Sequence, residues 1–391
     1  MNGKRVGTLP CVFLIAAGAA CHTSSTPPAR SPAALAARLD SLIPALLVKH
    51  RVPGAQVAVI QGGGVIWHGG YGFADRQRSR PVTDRTLFNI GSVSKVVAAW
   101  GVMAMARDAG IDLDTPVQRY LTRWRIPASD FDAEAVTLRR LLSHTSGLSV
   151  FPVSESFTYP PSPEETLSQS YGTFGRLRLV REPGSTFEYN NGNYIILQLL
   201  VEEVTDSGFA SYMYRRVLEP LQMKLSTYVL KRDQVAIPYD QSDGALPYYA
   251  TYENESFAAS GGLFTTASDL AAFVAAAMPG PDRAPPGRGV LTPETVRLMI
   301  APAPGTHGRY GLGYEMLPVS DTLTMIGHNG ANPGWRAAFM AVPTKGAGIA
   351  VLTNSEVGGR IIADIVCTWA DWDTEIELTG LCKGARPIPA R

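Results

Sequence analysis

The segment Leu87-Phe88-Asn89-Ile90-Gly91-Ser92-Val93-Ser94-Lys95 carries the sharpest chemical pattern in this 391-residue chain. It opens residues 92–109, where apolar side chains recur at helical spacing. Residues three apart on a helix lie on one face, so the Lys95 amine can reach the Ser92 hydroxyl. A serine at a helix N-terminus also lies beside unpaired backbone N–H groups, which favour an oxyanion. This arrangement predicts a nucleophilic serine with a lysine as its base.

The base requires a lowered pKa. A lysine has a reference pKa of about 10.4, and burial or a neighbouring cation must lower it before the neutral amine can accept a proton near pH 7. Serine and lysine are common residues, so the four-residue pattern identifies a site only in combination with other segments.

A second segment, Pro183-Gly184-Ser185-Thr186-Phe187-Glu188-Tyr189-Asn190-Asn191, leads into a predicted helix over 194–204. Tyr189 and Asn191 are expected on the loop before that helix. There Tyr189 could move protons to and from a leaving group, and Asn191 could hold Lys95 and a substrate amide. The alternative is that Tyr189 packs and Asn191 caps the helix. The pair Tyr252 and Asn254 has the same spacing but no following helix, so it ranks second.

A third segment, His328-Asn329-Gly330, follows a predicted strand over 323–326 and precedes Ala331. Gly330 would allow a substrate to approach a strand edge closely. The alternative is an ordinary turn histidine. His68-Gly69-Gly70 repeats the pattern, but it lies before the serine in an early strand.

Together the three segments resemble the S-x-x-K, Y-x-N and K/H-x-G motifs of the serine β-lactamase and penicillin-recognising hydrolase superfamily. Their order and separations match, and so do the flanking segments 136–148, 218–223 and 260–270. The resemblance covers about 35–370. It is closest to the branch with class C β-lactamases, D,D-carboxypeptidases, D-aminopeptidases and related esterases.

The resemblance implies a role for each matching residue. Ser92 would form an acyl-enzyme, while Lys95 and Tyr189 would share its proton, activate water and protonate the leaving group. Asn191 would position Lys95 and the acyl side chain. His328 would orient Tyr189 or a substrate carboxylate.

The backbone N–H groups of Ser92 and of Ala331, just after Gly330, would form the oxyanion hole. No cofactor is implied. The sequence has no H-E-x-x-H and no other cluster with metal-ligand spacing.

The third motif departs from the β-lactamase pattern. A lysine usually stands where this chain has His328, which is largely neutral at pH 7. This resembles the carboxypeptidase, aminopeptidase and esterase members more. Arg336 could supply the missing charge or be a surface arginine.

An aromatic group and one further histidine lie outside the three motifs. Tyr248, Tyr249, Tyr252 and Phe257 could line an acyl pocket or pack between regions. His144, inside the matching segment 136–148, is interpreted as structural.

The expected fold is α/β, because strand patterns occur at both ends of the chain and helices between them. Helices are predicted over 31–50, 137–143 and 359–370. Strands are predicted over 56–61, 65–68, 337–342 and 348–353. The N- and C-terminal segments, about 32–110 and 305–370, would form one antiparallel sheet flanked by helices. A mostly helical region, about 111–304, would be inserted between them, within a hydrolase domain of 32–382.

The chain ends predict export. Residues 1–20 have the basic start, short apolar run and small residues of a signal peptide. Cys21 follows, so lipid anchoring to a bacterial membrane facing the periplasm is favoured; ordinary cleavage to a soluble periplasmic or secreted protein is the alternative. Residues 21–31 would be a flexible tether and 383–391 a frayed tail. Cys367 and Cys382 could pair in an oxidising compartment or stay free.

Composition excludes several classes of protein. Lys+Arg 35 against Asp+Glu 34 argues against a nucleic-acid partner, and 45% hydrophobic residues exclude a disordered chain. No G-x-S-x-G occurs, so the α/β-hydrolase nucleophile elbow is absent. The sequence thus predicts an exported serine hydrolase acting on a small-molecule or short-peptide substrate, first D-residue peptides, then esters, then β-lactams. A non-catalytic peptidoglycan-binding module is the alternative from another class, and the oligomeric state stays open.

Overall fold

The computed structural model describes residues 31–150, 162–169, 175–247, 255–320, 323–372 and 382. The predicted signal peptide, Cys21, most of the tether, the tail and tyrosines 248, 249 and 252 lie outside these residues.

Strands from both ends of the described chain form one large antiparallel sheet. The strands are β1 Gly54–Gln61, β2 Gly64–Asp75, β3 Arg80–Pro81, β4 Phe88–Asn89, β5 Phe264–Thr265, β6 Glu315–Ser320, β7 Leu323–Asn332, β8 Trp335–Val342 and β9 Ala347–Thr353. Seven of them form the large sheet, in the order β3-β2-β1-β9-β8-β7-β6, and β4 pairs with β5 in a separate sheet. The N- and C-terminal parts of the large sheet join where β1 pairs with β9, with Ala55 opposite Thr353. This confirms the predicted sheet built from both ends of the chain.

Helices cover both faces of the large sheet. The first and last helices pack together on one face with the apolar side chains of one core cluster. The other helices build the larger core cluster, which reaches the opposite face. All the α-helices of the described residues are, in chain order, α1 Pro32–His50, α2 Ser94–Asp108, α3 Leu138–Leu142, α4 Pro163–Ser168, α5 Asn191–Thr205, α6 Phe209–Met213, α7 Ala258–Gly261, α8 Ala267–Ala276, α9 Pro293–Met299 and α10 Gly359–Trp372. None of the described helices is long and apolar enough to cross a membrane.

The first helix forms where its pattern predicts. The Ser31 side chain accepts a hydrogen bond from the Ala34 backbone N–H at 3.2 Å, and Pro32 takes the first helical position. Leu35, Leu39 and Ile43 are buried along one stripe. The stripe docks the helix onto the sheet, where it also packs against α10.

The sequence pattern predicts that strand β7 ends at 326, but it extends to Asn332. His328 therefore lies inside a strand, opposite Phe339 of β8, and is not a turn histidine. The actual turn follows at Gly334, whose φ of 76° a residue with a side chain rarely adopts. The residues that follow Ile326 include polar ones, so they lack the apolar pattern that predicts a strand. Their backbone hydrogen bonds to β8 form nevertheless, because these bonds do not depend on apolar side chains.

The disulfide that the sequence left open is present. Cys367 of α10 is bonded to Cys382, with their Cα atoms 5.6 Å apart. It ties the end of the described chain to the last helix.

Candidate active site

Ser92 lies on a tight turn between β4 and α2. Gly91 has a φ of 50°, and Gly91–Val93 form one 3₁₀ turn before the α-helix begins. The Asn89 side chain supports the turn, since its Oδ1 accepts from the Gly91 N–H at 2.9 Å and from Asn332 Nδ2 at 2.7 Å. A side chain at Gly91 would place its Cβ 2.7 Å from the Ala331 nitrogen. Glycine thus lets the serine turn pack directly on β7.

Lys95 lies one helical turn below the serine and is completely buried. Its Nζ donates to Asn191 Oδ1 at 2.8 Å and to the Ser260 carbonyl at 2.6 Å, and it lies 3.2 Å from Ser92 Oγ. No described carboxylate forms an ion pair with it. Burial lowers the pKa of Lys95 to about 7. The predicted convergence of a serine and a lysine is present, and burial supplies the lowered pKa that the chemistry requires.

The three partners of Lys95 also set its direction of proton transfer. A neutral amine has two N–H donors and one lone pair. The Asn191 Oδ1 and the Ser260 carbonyl can only accept, so they take the two N–H groups. The lone pair is then left for the Ser92 hydroxyl, which can donate. The geometry therefore suits Lys95 as the base that receives the serine proton.

Tyr189 lies against the same amine, with Lys95 Nζ 5.0 Å from the centre of its ring. Its hydroxyl oxygen is buried and makes no hydrogen bond within the described part of the chain. Burial raises the pKa of this hydroxyl, while the nearby Ser92 side chain lowers it. Tyr189 is consequently protonated at neutral pH and able to donate to an arriving group.

Asn191 is the first residue of α5, not a residue of the preceding loop, which corrects the predicted boundary at 194. Asn190 is the cap: its backbone is extended and its Oδ1 accepts from the Gly192 N–H at 2.9 Å. The alternative that Asn191 caps the helix is therefore wrong. Because its neighbour takes that role, the Asn191 side chain can face Lys95.

His144 supports the tyrosine loop from behind. Its Nδ1 accepts from the Asn190 backbone N–H and lies 3.1 Å from Asn193 Nδ2. Its ring centre is 4.4 Å from that of Tyr189. Burial and the Lys95 charge lower the pKa of His144, so the ring is neutral. These contacts agree with a structural part for His144.

His328 is buried, and both of its ring nitrogens have protein partners. Nδ1 donates to the Asn329 carbonyl at 2.7 Å, and Nε2 lies 3.1 Å from the Tyr310 hydroxyl. Burial and the nearby Lys95 lower the pKa of His328 to about 3. The third motif therefore presents an uncharged ring, 6.0 Å from the ring of Tyr189.

The segment Gly330–Ala331 forms an open edge beside the nucleophile. Pairing between β6 and β7 ends at Gly327, so the later residues of β7 face the serine turn on that side. A Cβ at Gly330 would be 1.9 Å from the Ile90 carbonyl and 3.3 Å from the Ser92 nitrogen. The two segments predicted to supply oxyanion-hole N–H groups are thus in contact.

A cavity of about 440 Å³ opens at Ser92. Its far wall is apolar and comes from β8 and α10. Arg336 enters this cavity and donates to the carbonyls of Asn332 and Trp335 at 2.9 and 2.7 Å. It makes no ion pair with a described carboxylate. The lining residues are Ser92, Tyr189, Glu315, His328, Asn329, Gly330, Ala331, Arg336, Ala337, Ala338, Met340, Gly359, Ile362, Ala363 and Val366.

A second cavity, of about 530 Å³, adjoins the first and shares Tyr189, Glu315, Asn329 and Met340 with it. Phe257 lines neither cavity and is buried in the core, which favours packing for that residue. His68, which repeats the pattern of the third motif, lies in β2 and lines neither cavity.

Sequence reasoning missed two groups in the site. The Ser260 carbonyl holds Lys95, and Glu315 lines both cavities. Ser260 lies in the segment 260–270, which resembles the family sequence, and this resemblance could have indicated its role. No pattern pointed to Glu315. Among the described residues, no group of three or more His, Cys, Asp and Glu side chains could hold a metal ion.

Two known proteins are similar in sequence to this chain. "Protein flp" of Staphylococcus aureus (strain MW2) is 24% identical over 81% of this chain, which spans 62% of that relative's length. "Esterase EstB" of Burkholderia gladioli is 30% identical over 53% of this chain and 55% of its own length.

Solved structures share the fold. "A class C beta-lactamase" has a TM-score of 0.69 at 22% identity, covering 88% of this chain and 97% of that one. "Crystal structure of SurE with D-Leu" has a TM-score of 0.71 at 24% identity, covering 88% and 77%. The family model described as Beta-lactamase matches residues 39–364. The chain therefore belongs to the Beta-lactamase family and has the fold of the class C β-lactamase structure.

Proposed function

We propose that this protein is a serine hydrolase that works through an acyl-enzyme at Ser92 and cleaves amide or ester bonds of small substrates, with short D-residue peptides as the favoured class. The observation that carries the mechanism is the pair of hydrogen bonds that Lys95 donates to Asn191 Oδ1 and to the Ser260 carbonyl. They leave the lone pair of the neutral amine for the proton of Ser92, whose Oγ is 3.2 Å away.

The first half of the reaction follows from these contacts. Neutral Lys95 takes the Ser92 proton as Oγ attacks the substrate carbonyl, and the negative oxygen is held by the backbone N–H groups of Ser92 and Ala331. One such donor is worth about 10²–10³ in rate. The C–N or C–O bond then breaks, and the leaving atom takes a proton from Tyr189, which Lys95 reprotonates. In the second half a water gives a proton to the same pair as its oxygen bonds to the acyl carbon. The bond from that carbon to Ser92 Oγ then breaks, Oγ takes the proton back from the pair, and the acid is released.

The substrate class rests on charge. A permanent cation in the third motif would favour the carboxylate of an antibiotic, but His328 is neutral because burial lowers its pKa to about 3. Arg336 is the cation that remains in the cavity, and we propose that it binds a substrate carboxylate. The similarity to the structure of SurE with D-Leu adds support for a D-amino acid substrate.

Ester hydrolysis is a second candidate. It is favoured by the esterase relative and by the apolar wall that α10 gives the cavity. β-Lactam hydrolysis ranks third, because the third motif lacks the lysine.

A substrate panel tests the proposal. Nitrocefin, p-nitrophenyl esters and D-amino-acid p-nitroanilides are compared on the wild type and on Ser92→Ala. Loss of the nucleophile should remove on the order of 10⁶ in kcat on every substrate that is turned over. Full turnover by Ser92→Ala would contradict the mechanism. Covalent labelling with a fluorescent penicillin or phosphonate separates this proposal from a non-catalytic binding module, which would not be labelled.

We also propose that the protein is exported and anchored by a lipid at Cys21. The Cys367–Cys382 disulfide supports export, since disulfides persist in oxidising compartments. Mass spectrometry of the mature N-terminus tests this: a diacylglyceryl-modified Cys21 is expected. An unmodified N-terminus produced by cleavage after Ala20 would leave export standing and refute the anchor.

A further inference from the structure

Glu315 is a carboxylate placed between the two cavities of the site. It begins β6 opposite Gly327 of β7, and its side chain is 38% exposed. One carboxylate oxygen accepts from Asn329 Nδ2 at 3.2 Å. Tyr189, the proposed proton donor to the leaving group, also lines both cavities. Ser92 lines only the first.

No described cation neutralises Glu315. The titratable side chain paired with it is that of His328, whose Nδ1 is 3.9 Å from Oε1. That nitrogen carries a proton already donated to the Asn329 carbonyl, and the buried ring is neutral. Arg309 lines the second cavity on its exposed side but makes no ion pair with Glu315.

Arg336 is the other charged residue of the first cavity, and it lies elsewhere along the sheet. Glu315 is aligned with Gly327 and Arg336 with Ala331, four residues farther along β7. At about 3.3 Å per residue this offset is roughly 13 Å. The two side chains therefore mark separate parts of the site, one negative and one positive.

We propose that Glu315 binds a positively charged group on the departing part of the substrate, so that preferred leaving groups are amines or alcohols carrying an ammonium. This inference rests on the proposed function. The departing part is assigned because its leaving atom must meet Tyr189, and Glu315 lies beside Tyr189 in both cavities. An ion pair between a carboxylate and an ammonium is stronger when the carboxylate is partly removed from water than when it is fully exposed. Glu315 is partly buried and has no cationic partner among the described residues.

A matched pair of thioesters tests the proposal. Butyrylthiocholine and S-(3,3-dimethylbutyl) thiobutyrate have the same acyl group and leaving groups of the same shape, one cationic and one neutral. In both, the Ser92 oxygen forms a bond to the acyl carbon, the C–S bond breaks, and the thiol released is measured with a disulfide reagent. The measurement is the ratio of kcat/KM for the cationic and the neutral substrate.

The variant Glu315→Gln supplies the comparison, because dividing the wild-type ratio by its ratio removes the intrinsic difference between the thioesters. We expect a quotient of about 10, the effect of one charge-assisted contact of about 1.4 kcal/mol. Arg309→Gln is the matched control and should keep or raise the wild-type ratio. A fall to the Glu315→Gln value would show that any change in the second cavity lowers the ratio, and would overturn the inference.

Failure of this inference is distinguishable from failure of the proposed function. A quotient within twofold of 1, with turnover abolished in Ser92→Ala, overturns the ammonium site and leaves the serine mechanism intact. No turnover together with no labelling by a fluorophosphonate overturns both.

If Glu315→Gln does not fold, inhibition of the wild type by choline and by neutral 3,3-dimethylbutan-1-ol replaces it. We expect choline to inhibit about tenfold more tightly. Equal inhibition overturns the proposal.

Discussion

The Lys95 amine lies 2.8 Å from the side-chain oxygen of Asn191, a residue 96 positions later in the chain. This contact joins the first and second motifs and takes up one N–H of the amine. Because the partner is a neutral amide, it orients the amine without adding a negative charge, and burial can lower the pKa of Lys95 to about 7. A carboxylate at the same position would have the opposite effect.

Asn191→Asp should therefore shift the pH dependence of the enzyme. In the wild type, kcat/KM should rise with pH through about 7 as Lys95 becomes neutral. An opposite charge at hydrogen-bond distance raises a lysine pKa by about 1–3 units, so the acidic limb of the variant should move upward by that amount. The measurement is kcat/KM from pH 5 to 10 on an activated ester. Asn191→Leu, which adds no charge, is the control. An unmoved limb in Asn191→Asp would show that another group controls it.

Lys95→Met should stabilise the protein at low pH. The folded pKa is lowered to about 7, whereas the unfolded chain keeps the ordinary lysine value of 10.5. Between these values the unfolded state binds more protons, so wild-type stability rises with pH through this window and is lowest below pH 7. Methionine removes the buried charge at similar volume. We expect a melting temperature higher by about 4 °C or more at pH 6, with a smaller gain at pH 9. An equal gain at both pH values would contradict the assignment.

The sequence predicts the parts of this site that depend on local geometry. The Ser92–Lys95 contact follows from helical spacing alone. The place of His328 was harder, because hydrogen-bonded pairing with β8 keeps polar residues in a strand that ends at Asn332. Asn191 was placed on the wrong side of a helix boundary, since Asn190 and Asn191 are equally good caps by type.

Groups that act through the backbone or across the sheet left no local signal. The Ser260 carbonyl holds Lys95 across 165 positions of sequence, and any residue type could supply a carbonyl. Glu315 reaches the site only because β6 pairs with β7 at Gly327. The family resemblance gave the three motifs, but these two contacts required coordinates.

His144 should prove to be a positioning residue for Tyr189. Its Nδ1 accepts the Asn190 N–H and its ring packs against Tyr189, so His144→Phe would leave that buried N–H unsatisfied. Such a group costs about 1–3 kcal/mol. His144→Asn keeps an acceptor and tolerates the backbone φ of 58° found here. We expect His144→Phe to lower kcat at least about tenfold and the asparagine variant to recover most of the loss. Equal losses in both variants, with an unchanged KM, would point to a role of the ring itself.

Gly330→Ala should disable the oxyanion hole. Its added Cβ would be 1.9 Å from the Ile90 carbonyl, so β7 must move away from the serine turn. The Ala331 N–H would move with it, while Lys95 would keep its contact with Ser92. We expect kcat to fall by about 10²-fold or more, with little change in the position of the acidic limb.

Gly208→Ala is the control, because a Cβ there meets no atom within 4 Å and its φ of −57° suits alanine. Thermal melts of both variants verify folding. If Gly330→Ala keeps kcat within threefold of the wild type, the close contact between β7 and the serine turn is not needed for catalysis, and the oxyanion hole must be formed by other donors.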